Sequence, residues 1–151
     1  MACWLIIWFW SVQSDVPEFE DWLDQPIPDD VWAYQQDPQQ GIFDAVVIHE
    51  DFKVHRDCYQ YFTQARILSE QGKAAYSLLE FPQNTTAIRG RIVDRGGEVT
   101  TFDMEHNAVE RLIFRYQQEE ATIKTILPPG LTDDCVLELF WEQETKYGLP
   151  I

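Results

Sequence analysis

Between Ala45 and Trp141 the chain alternates apolar and polar residues in short runs that are separated by turn-forming segments. Successive side chains of a β-strand point to opposite faces, so this alternation predicts strands that have one apolar face each. In the strand predicted from Tyr59 to Ile67, the odd positions form an apolar face and the even positions a mixed one. The last predicted strand alternates in the same way, with Cys135, Leu137, Leu139 and Trp141 opposite Glu138 and Glu142. Six or seven such strands are predicted.

Two turn segments predict hairpins between neighbouring strands. The clearer one is Asp94-Arg95-Gly96-Gly97, because paired glycines tolerate the positive φ that tight hairpin turns need. The segment Glu70-Gln71-Gly72-Lys73 is predicted to be a hairpin turn into a strand from Tyr76 to Phe81. A further turn is predicted at Pro128-Pro129-Gly130. Strands joined by short turns with little helix between them predict a mostly β fold with an antiparallel sheet.

Three other segments of this region carry more specific predictions. The β-branched run Ala45–Ile48 is typical of a strand buried on both faces. Thr86, Ile88, Gly90 and Ile92 are predicted to share one strand face, opposite two arginines. Residues 103–120 are polar around an apolar island, Leu112-Ile113-Phe114, and predict an irregular or weakly stranded connection.

The segment before the strands predicts a short helical arm over residues 15–41. Val16, Phe19, Trp22 and Leu23 fall on one helical face, with Pro17 in the first turn. A second short helix is predicted with Asp29 and Asp30 in its first turn and Val31, Trp32 and Tyr34 as apolar anchors. Residues 36–41 are a loop by composition.

The first residues are apolar without interruption from Ala2 to Trp10. This run is too short for the roughly 20 residues that span a bilayer, but it has the length of the hydrophobic region of a signal peptide. Val12-Gln13-Ser14 permits cleavage after Ser14, so residues 1–14 are predicted to be an export signal. No basic residue precedes the run, and a buried strand is the alternative interpretation.

The charge balance limits the partners of the chain. It has 151 residues, the size of one domain, and a formal net charge of −15 from 26 acidic and 11 basic side chains. Such a surface repels the phosphates of nucleic acids and anionic membranes. The charge has two interpretations: solubility, or an acidic decoy that binds a basic partner.

No catalytic, cofactor-binding or metal-binding residue is predicted. Cys58 lies at the start of a strand instead of a helix N-terminus, and carboxylates next to Cys135 would raise the pKa of its thiol. If the leader with Cys3 is removed, these two cysteines either form a disulfide in an oxidising compartment or remain as buried thiols. The three histidines, His49, His55 and His106, lack the i, i+4 spacing of a zinc protease helix.

Four segments together resemble a known family: Pro28–Ile48, Ile67–Lys73, Ile88–Val99 and Leu127–Glu138. The family is the bacterial domain of unknown function that lies N-terminal to transglutaminase-like cores in exported envelope proteins, and the resemblance covers residues 27–142. The chain departs from it at Asp133-Asp134-Cys135, where the family has a Gly-Asp step, and at the extra proline of 128–129. The resemblance implies a β-sandwich without activity of its own, and a chain that continues into further strands and the core domain.

Together these observations predict a mostly β protein: an antiparallel β-sandwich over residues 42–151, truncated at its C-terminal end, with a short helical N-terminal arm. The expected function is that of a non-catalytic accessory domain, without cofactor or metal, exported to the periplasm or cell envelope. Its expected partner is a transglutaminase-like domain, in the same longer chain or as a neighbour, or another protein. The alternatives are a small β-barrel that binds a ligand and an acidic inhibitor or immunity protein that binds a basic partner.

Overall fold

The computed structural model describes residues 19–116 and 119–145. The predicted leader, residues 1–14, and the predicted start of the first helix lie outside the described residues. The elements in chain order are α1 (Phe19–Trp22), α2 (Asp29–Ala33), β1 (Ala45–Val54), β2 (Cys58–Ile67), α3 (Glu70–Tyr76), β3 (Leu79–Pro82), β4 (Thr85–Asp94), β5 (Val99–Asp103), α4 (Met104–Asn107), β6 (Ala108–Tyr116), β7 (Glu119–Ile126) and β8 (Cys135–Glu144).

The strands form two antiparallel sheets. The larger has the order β1-β2-β8-β4-β5 and the smaller the order β3-β7-β6. The predicted antiparallel β-sandwich is therefore confirmed, with eight strands in the described part of the chain instead of six or seven. These strands leave each sheet open at both edges, so the described strands do not form the closed barrel that one alternative requires.

The hydrophobic core lies between the two sheets. Ile67, Ile92 and Leu137 of the larger sheet are buried there together with Phe81 and Ile126 of the smaller sheet. The predicted alternation of β8 is confirmed, because Cys135, Leu137 and Leu139 all belong to this core. Burial of each large aliphatic or aromatic side chain contributes about 1.5–3 kcal/mol to folding, so this core is the main source of stability.

The helical arm covers the opposite face of the larger sheet. Trp22 and Leu23 pack against a pair of buried phenylalanines, Phe62 and Phe140. The predicted second helix begins at Asp29, as the sequence indicates, and its Val31 is buried. The larger sheet is therefore covered by the smaller sheet on one face and by the arm on the other.

The Asp94–Gly97 hairpin is confirmed. The amide N of Asp94 donates to the carbonyl oxygen of Glu98 at 3.0 Å, and Gly97 has φ 86°. This turn joins β4 to β5, which pair in register from Val93 with Val99 onward.

The prediction of a second hairpin at Glu70–Lys73 is wrong. These residues begin helix α3, and the hydroxyl oxygen of Ser69 caps it by accepting from the amide N of Gly72 at 3.1 Å. Strand β2 does not return to β3 but pairs with β1 and β8. The serine cap outweighed the turn signal of the glycine, since an N-cap satisfies an otherwise unpaired backbone donor of the first helical turn.

Three other predictions about the strands are also corrected. The run Ala45–Ile48 starts an edge strand, and Val47 is exposed instead of buried on both faces. Residues 103–120 contain helix α4 and strand β6, which pairs with β7 along its length apart from a bulge between Leu112 and Phe114, instead of an irregular connection. A bulge between Thr85 and Ala87 shifts the start of β4, so that Thr85 is buried while Thr86 is exposed.

Candidate functional site

A buried polar network lies between the arm and the larger sheet. The carboxylate of Glu138, which is 2% exposed, accepts from Gln64 Nε2 at 2.6 Å and from Arg91 Nε. Arg91 also donates to the carbonyl oxygens of Trp22, at 3.2 Å, and Gln25. The register brings these side chains together, because β8 lies between β2 and β4. The network therefore attaches the arm to the sheet.

A second cluster lies nearer to α2. Arg66 is 1% exposed, pairs with Asp134 and donates to the carbonyl oxygen of Cys135 at 3.1 Å. Its guanidinium lies 5.0 Å from the centre of the Trp32 ring, and Arg95 lies 5.6 Å from the same ring. Partial burial raises the pKa of Asp134, but hydrogen bonds from Arg95 and Arg66 outweigh it and hold this pKa below its ordinary value.

A cavity of about 490 Å³ opens between the arm and the larger sheet, and we call it the arm cleft. It is lined by Trp22, Gln25, Pro26, Pro28, Asp30, Val31, Ile48, His49, Gln64 and Glu138. The Trp22 ring lies 4.5 Å from the His49 ring and 4.7 Å from the Phe62 ring, measured between centroids. Trp22 Nε1 and His49 Nε2 are both buried and have no hydrogen-bond partner among the described residues. An unsatisfied buried polar group costs about 1–3 kcal/mol, so two side chains of the cleft wall each retain an unused hydrogen-bonding atom.

A group of aromatic side chains lies on the face of the larger sheet that is turned towards the smaller sheet. We call Phe52, Tyr59, Tyr61 and Trp141 the aromatic row. The Tyr61 and Trp141 rings stack at 4.5 Å with 3° between their planes, and Phe52 lies 4.8 Å from Tyr61. The row starts beside Phe81, which is 4% exposed in the core, and ends at Phe52, which is 48% exposed. It therefore extends from the core to the outer edge of the sheet, where Val54 is exposed as well.

The two cysteines of the described residues are both free. In the β2–β8 ladder, Cys58 lies opposite Glu144 and Cys135 lies opposite Ile67. The two cysteines are therefore at opposite ends of the ladder, nine strand residues apart, which corresponds to about 30 Å. A disulfide between them is therefore excluded. Burial raises the pKa of both thiols, and at Cys58 the nearby carboxylate of Glu142 raises it further. Both shifts disfavour the thiolate that a nucleophile requires.

The three histidines lie in separate places. His49 lines the arm cleft, and His55 shares a hydrogen bond with Gln60 at 3.0 Å. His106 is on α4 and lies beside Asp103, the last residue of β5. No group of three potential ligands that could hold a metal ion occurs within residues 19–116 and 119–145.

The sequence did not predict the arm cleft or the aromatic row. The mixed face of β2 and the arginines of β4 were visible, but their burial depends on an arm that is distant in sequence. The odd positions Tyr59 and Tyr61 did signal an aromatic strand face. The sequence does not indicate that Phe52 and Trp141 lie beside this face, or that the smaller sheet leaves it partly uncovered.

Comparison with known protein families, with curated proteins and with solved structures finds no match for this chain. The resemblance to a transglutaminase-associated domain therefore stays a prediction. Among the described helices, none has the length and apolar character needed to cross a membrane.

Proposed function

We propose that this chain is a non-catalytic accessory module of the bacterial cell envelope that binds another protein domain through the aromatic row. The observation that carries the proposal is the partial exposure of four neighbouring rings that extend from the core to the outer edge of the larger sheet. Aromatic residues are enriched in the centres of protein interfaces, because they bury much area at a low cost in side-chain entropy. A surface of this kind supports binding and not chemistry.

The proposed partner is a transglutaminase-like core domain. The four segments that resemble the transglutaminase-associated family support this choice, and so does the sandwich fold that the resemblance implies. From the net charge of −15 we infer that the contacted surface of the partner is neutral or basic, since like charges across an interface oppose association.

The spread of acidic residues favours this function over an acidic inhibitor. Such an inhibitor needs its carboxylates on one face. The exposed carboxylates here include Asp57 and Asp133, at opposite ends of the β2–β8 ladder. They also include Asp29 on the arm and Glu80 on the smaller sheet, which cover opposite faces of the larger sheet.

The test is a binding titration against a purified transglutaminase-like core domain from an exported bacterial envelope protein. Phe52→Ala should weaken binding at least tenfold, as truncation of an aromatic hot-spot residue does in other interfaces. Val99→Ala is the matched control, because Val99 is 51% exposed on β5 at the other edge of the same sheet.

Equal affinities of the two variants would exclude the aromatic row as the contact surface. If the unmodified chain does not bind the core domain, this partner class is wrong. Circular dichroism should show the same β-rich spectrum for both variants, because neither substitution removes a buried side chain.

A further inference from the structure

The arm cleft lies on the other face of the larger sheet from the aromatic row. In β1 and β2, His49 pairs with Gln64 on the arm face, whereas Phe52 pairs with Tyr61 on the face towards the smaller sheet. A binding function of the cleft is therefore independent of the proposed function.

The cleft is built by an irregularity in β1. The register shifts between Val47 and His49, so Ile48 is an extra residue without its own partner on β2. Because of this bulge, two consecutive residues, Ile48 and His49, both line the cavity. Bulges occur next to binding sites because they redirect side chains that a regular strand would point to opposite faces.

The wall surface is mostly apolar, and five of its lining residues carry polar or charged side chains. Pro26, Pro28, Val31 and Ile48 contribute apolar surface, and the polar groups come from both the arm and the sheet. A concave apolar cavity of this size with a small number of converging polar groups is typical of a site for a small ligand or a single inserted side chain.

The charge of Asp30 favours a cation in the cleft, since the charge of Glu138 is already compensated by Arg91. Two carboxylates line the cavity, Glu138 on its sheet side and Asp30 on the arm, and among the described residues no lysine or arginine belongs to its lining. Glu138 uses two of the roughly four lone-pair positions of its carboxylate for Gln64 and Arg91, so it can accept further hydrogen bonds. An imidazole that carries its proton on Nδ1 can accept one at Nε2, the unpartnered atom of His49, and the Trp22 indole favours a cation near its ring.

We propose that the arm cleft binds a primary alkylammonium group, which is the chemistry shared by a lysine side chain of a polypeptide and a free organic amine. The methylene chain lies along the prolines, Val31 and Ile48. The ammonium donates to Glu138 and His49 Nε2, and Asp30, which forms no ion pair with another described residue, supplies negative charge at the cleft.

The test uses n-pentylamine and its neutral counterpart n-pentanol, which have stems of equal length. Binding to the full chain is followed by ¹H–¹⁵N spectra of the tryptophan indoles, with the Trp22 signal assigned from Trp22→Phe. Pentylamine should shift the Trp22 signal with a dissociation constant on the order of 1 mM, in keeping with so few heavy atoms, and pentanol should bind at least tenfold more weakly.

Two neighbouring aspartates of α2 give a matched pair of variants. Both are exposed, but Asp30 lines the cleft and Asp29 does not. Asp30→Asn should weaken pentylamine binding about fivefold at low salt, because it removes one charge near the ammonium in a site that is open to water. Asp29→Asn should change the affinity less than about twofold. Both substitutions leave the core and the buried network intact.

Capped lysine, Nα-acetyl-lysine methylamide, distinguishes the two sources of the ammonium group. If it binds as well as pentylamine, the natural ligand is a lysine of a polypeptide; if only pentylamine binds, the ligand is a free amine.

The proposal is overturned if neither compound shifts the Trp22 signal, if pentanol binds as tightly as pentylamine, or if Asp29→Asn weakens binding as much as Asp30→Asn. The Phe52→Ala variant should bind pentylamine normally, so this result is separable from the interface test.

Discussion

At the scale of single residues, the least expected feature is a charged pair under the arm. Glu138 and Arg91 are almost fully buried, and their charges are compensated by each other, by Gln64 and by two backbone carbonyls. Such pairs add little net stability compared with apolar residues, but removal of one partner leaves the other charge buried and uncompensated. Their main effect here is to fix the position of the arm.

Glu138→Ala should lower the free energy of unfolding by about 3–5 kcal/mol, because Arg91 then stays buried without its counterion. Glu144→Ala is the control on the same strand, where the side chain is exposed, and it should cost less than about 0.5 kcal/mol. Urea unfolding followed by tryptophan fluorescence measures both values. Equal costs would mean that Arg91 moves out to solvent and that the network does not hold the arm.

Asp103 and His106 form a pair in which the two pKa values are shifted in opposite directions. His106 Nδ1 lies 2.9 Å from both carboxylate oxygens of Asp103. The hydrogen bond and charge of Asp103 raise the pKa of His106 above its ordinary value of 6.5. Backbone and side-chain hydrogen bonds from His106 lower the pKa of Asp103.

The sign of the pH dependence follows from these directions. The stabilisation from His106 is complete below its ordinary pKa and disappears as the pH rises through the raised pKa. The stabilisation from Asp103 is complete above its ordinary pKa and disappears as the pH falls through the lowered pKa. An NMR titration should show that Asp103→Asn returns the pKa of His106 towards 6.5, while Asp133→Asn leaves it unchanged. An unchanged pKa in Asp103→Asn would show that the two side chains do not interact in solution.

At the scale of elements, helix α3 shows where local sequence was misleading. A glycine within a polar segment is a turn signal, but here Gly72 is needed because the helix approaches β1. A Cβ at this position would lie 2.0 Å from the carbonyl oxygen of Asp44. The cap of Ser69 is visible in the sequence, whereas the contact with Asp44 becomes apparent only once the chain is folded.

Gly72→Ala should therefore destabilise the protein, although alanine favours an isolated helix by about 1 kcal/mol. The clash with backbone should cost about 1–3 kcal/mol net, as overpacking does in other proteins. Gln71→Ala, at the exposed neighbouring position of α3, should change stability by less than about 0.5 kcal/mol. Thermal unfolding measures both. A Gly72→Ala protein as stable as Gln71→Ala would mean that α3 is not docked against Asp44.

The strands themselves were largely predictable, but their neighbours were not. The alternation of β2 and β8 indicated which side chains share a face, and Gly96-Gly97 indicated the β4–β5 hairpin. Nothing local indicates that β8 lies between β2 and β4, or that Ala45 begins an edge strand. Strand order depends on contacts between distant segments, such as Arg66 with Asp134, and these are invisible to periodicity.

At the scale of the whole molecule, the same limit applies to the candidate sites. Periodicity indicates that one face of β2 is mixed, and a mixed face is normally solvated. Here the arm adds a third layer, so that Gln64 and Arg66 become buried and the cleft forms above Gln64. The buried network and the arm cleft thus arise from the assembly of three layers, and no single segment contains either of them.

The net charge makes a prediction for the molecule as a whole. With 26 acidic and 11 basic side chains, exposed carboxylates mostly repel one another, and salt screens this repulsion with a Debye length of about 10 Å at 0.1 M. The buried pair Arg91–Glu138 is screened much less.

Raising NaCl from 0.05 to 0.5 M should therefore increase the melting temperature by about 2–4 °C, the shift that ~1 kcal/mol produces in a chain of this size. A fall would mean that exposed pairs such as Arg111–Glu80 and Arg95–Asp134 contribute more than the repulsion costs. In Asp29→Asn/Asp133→Asn, which removes two exposed charges, the increase should be smaller, because less repulsion remains to be screened.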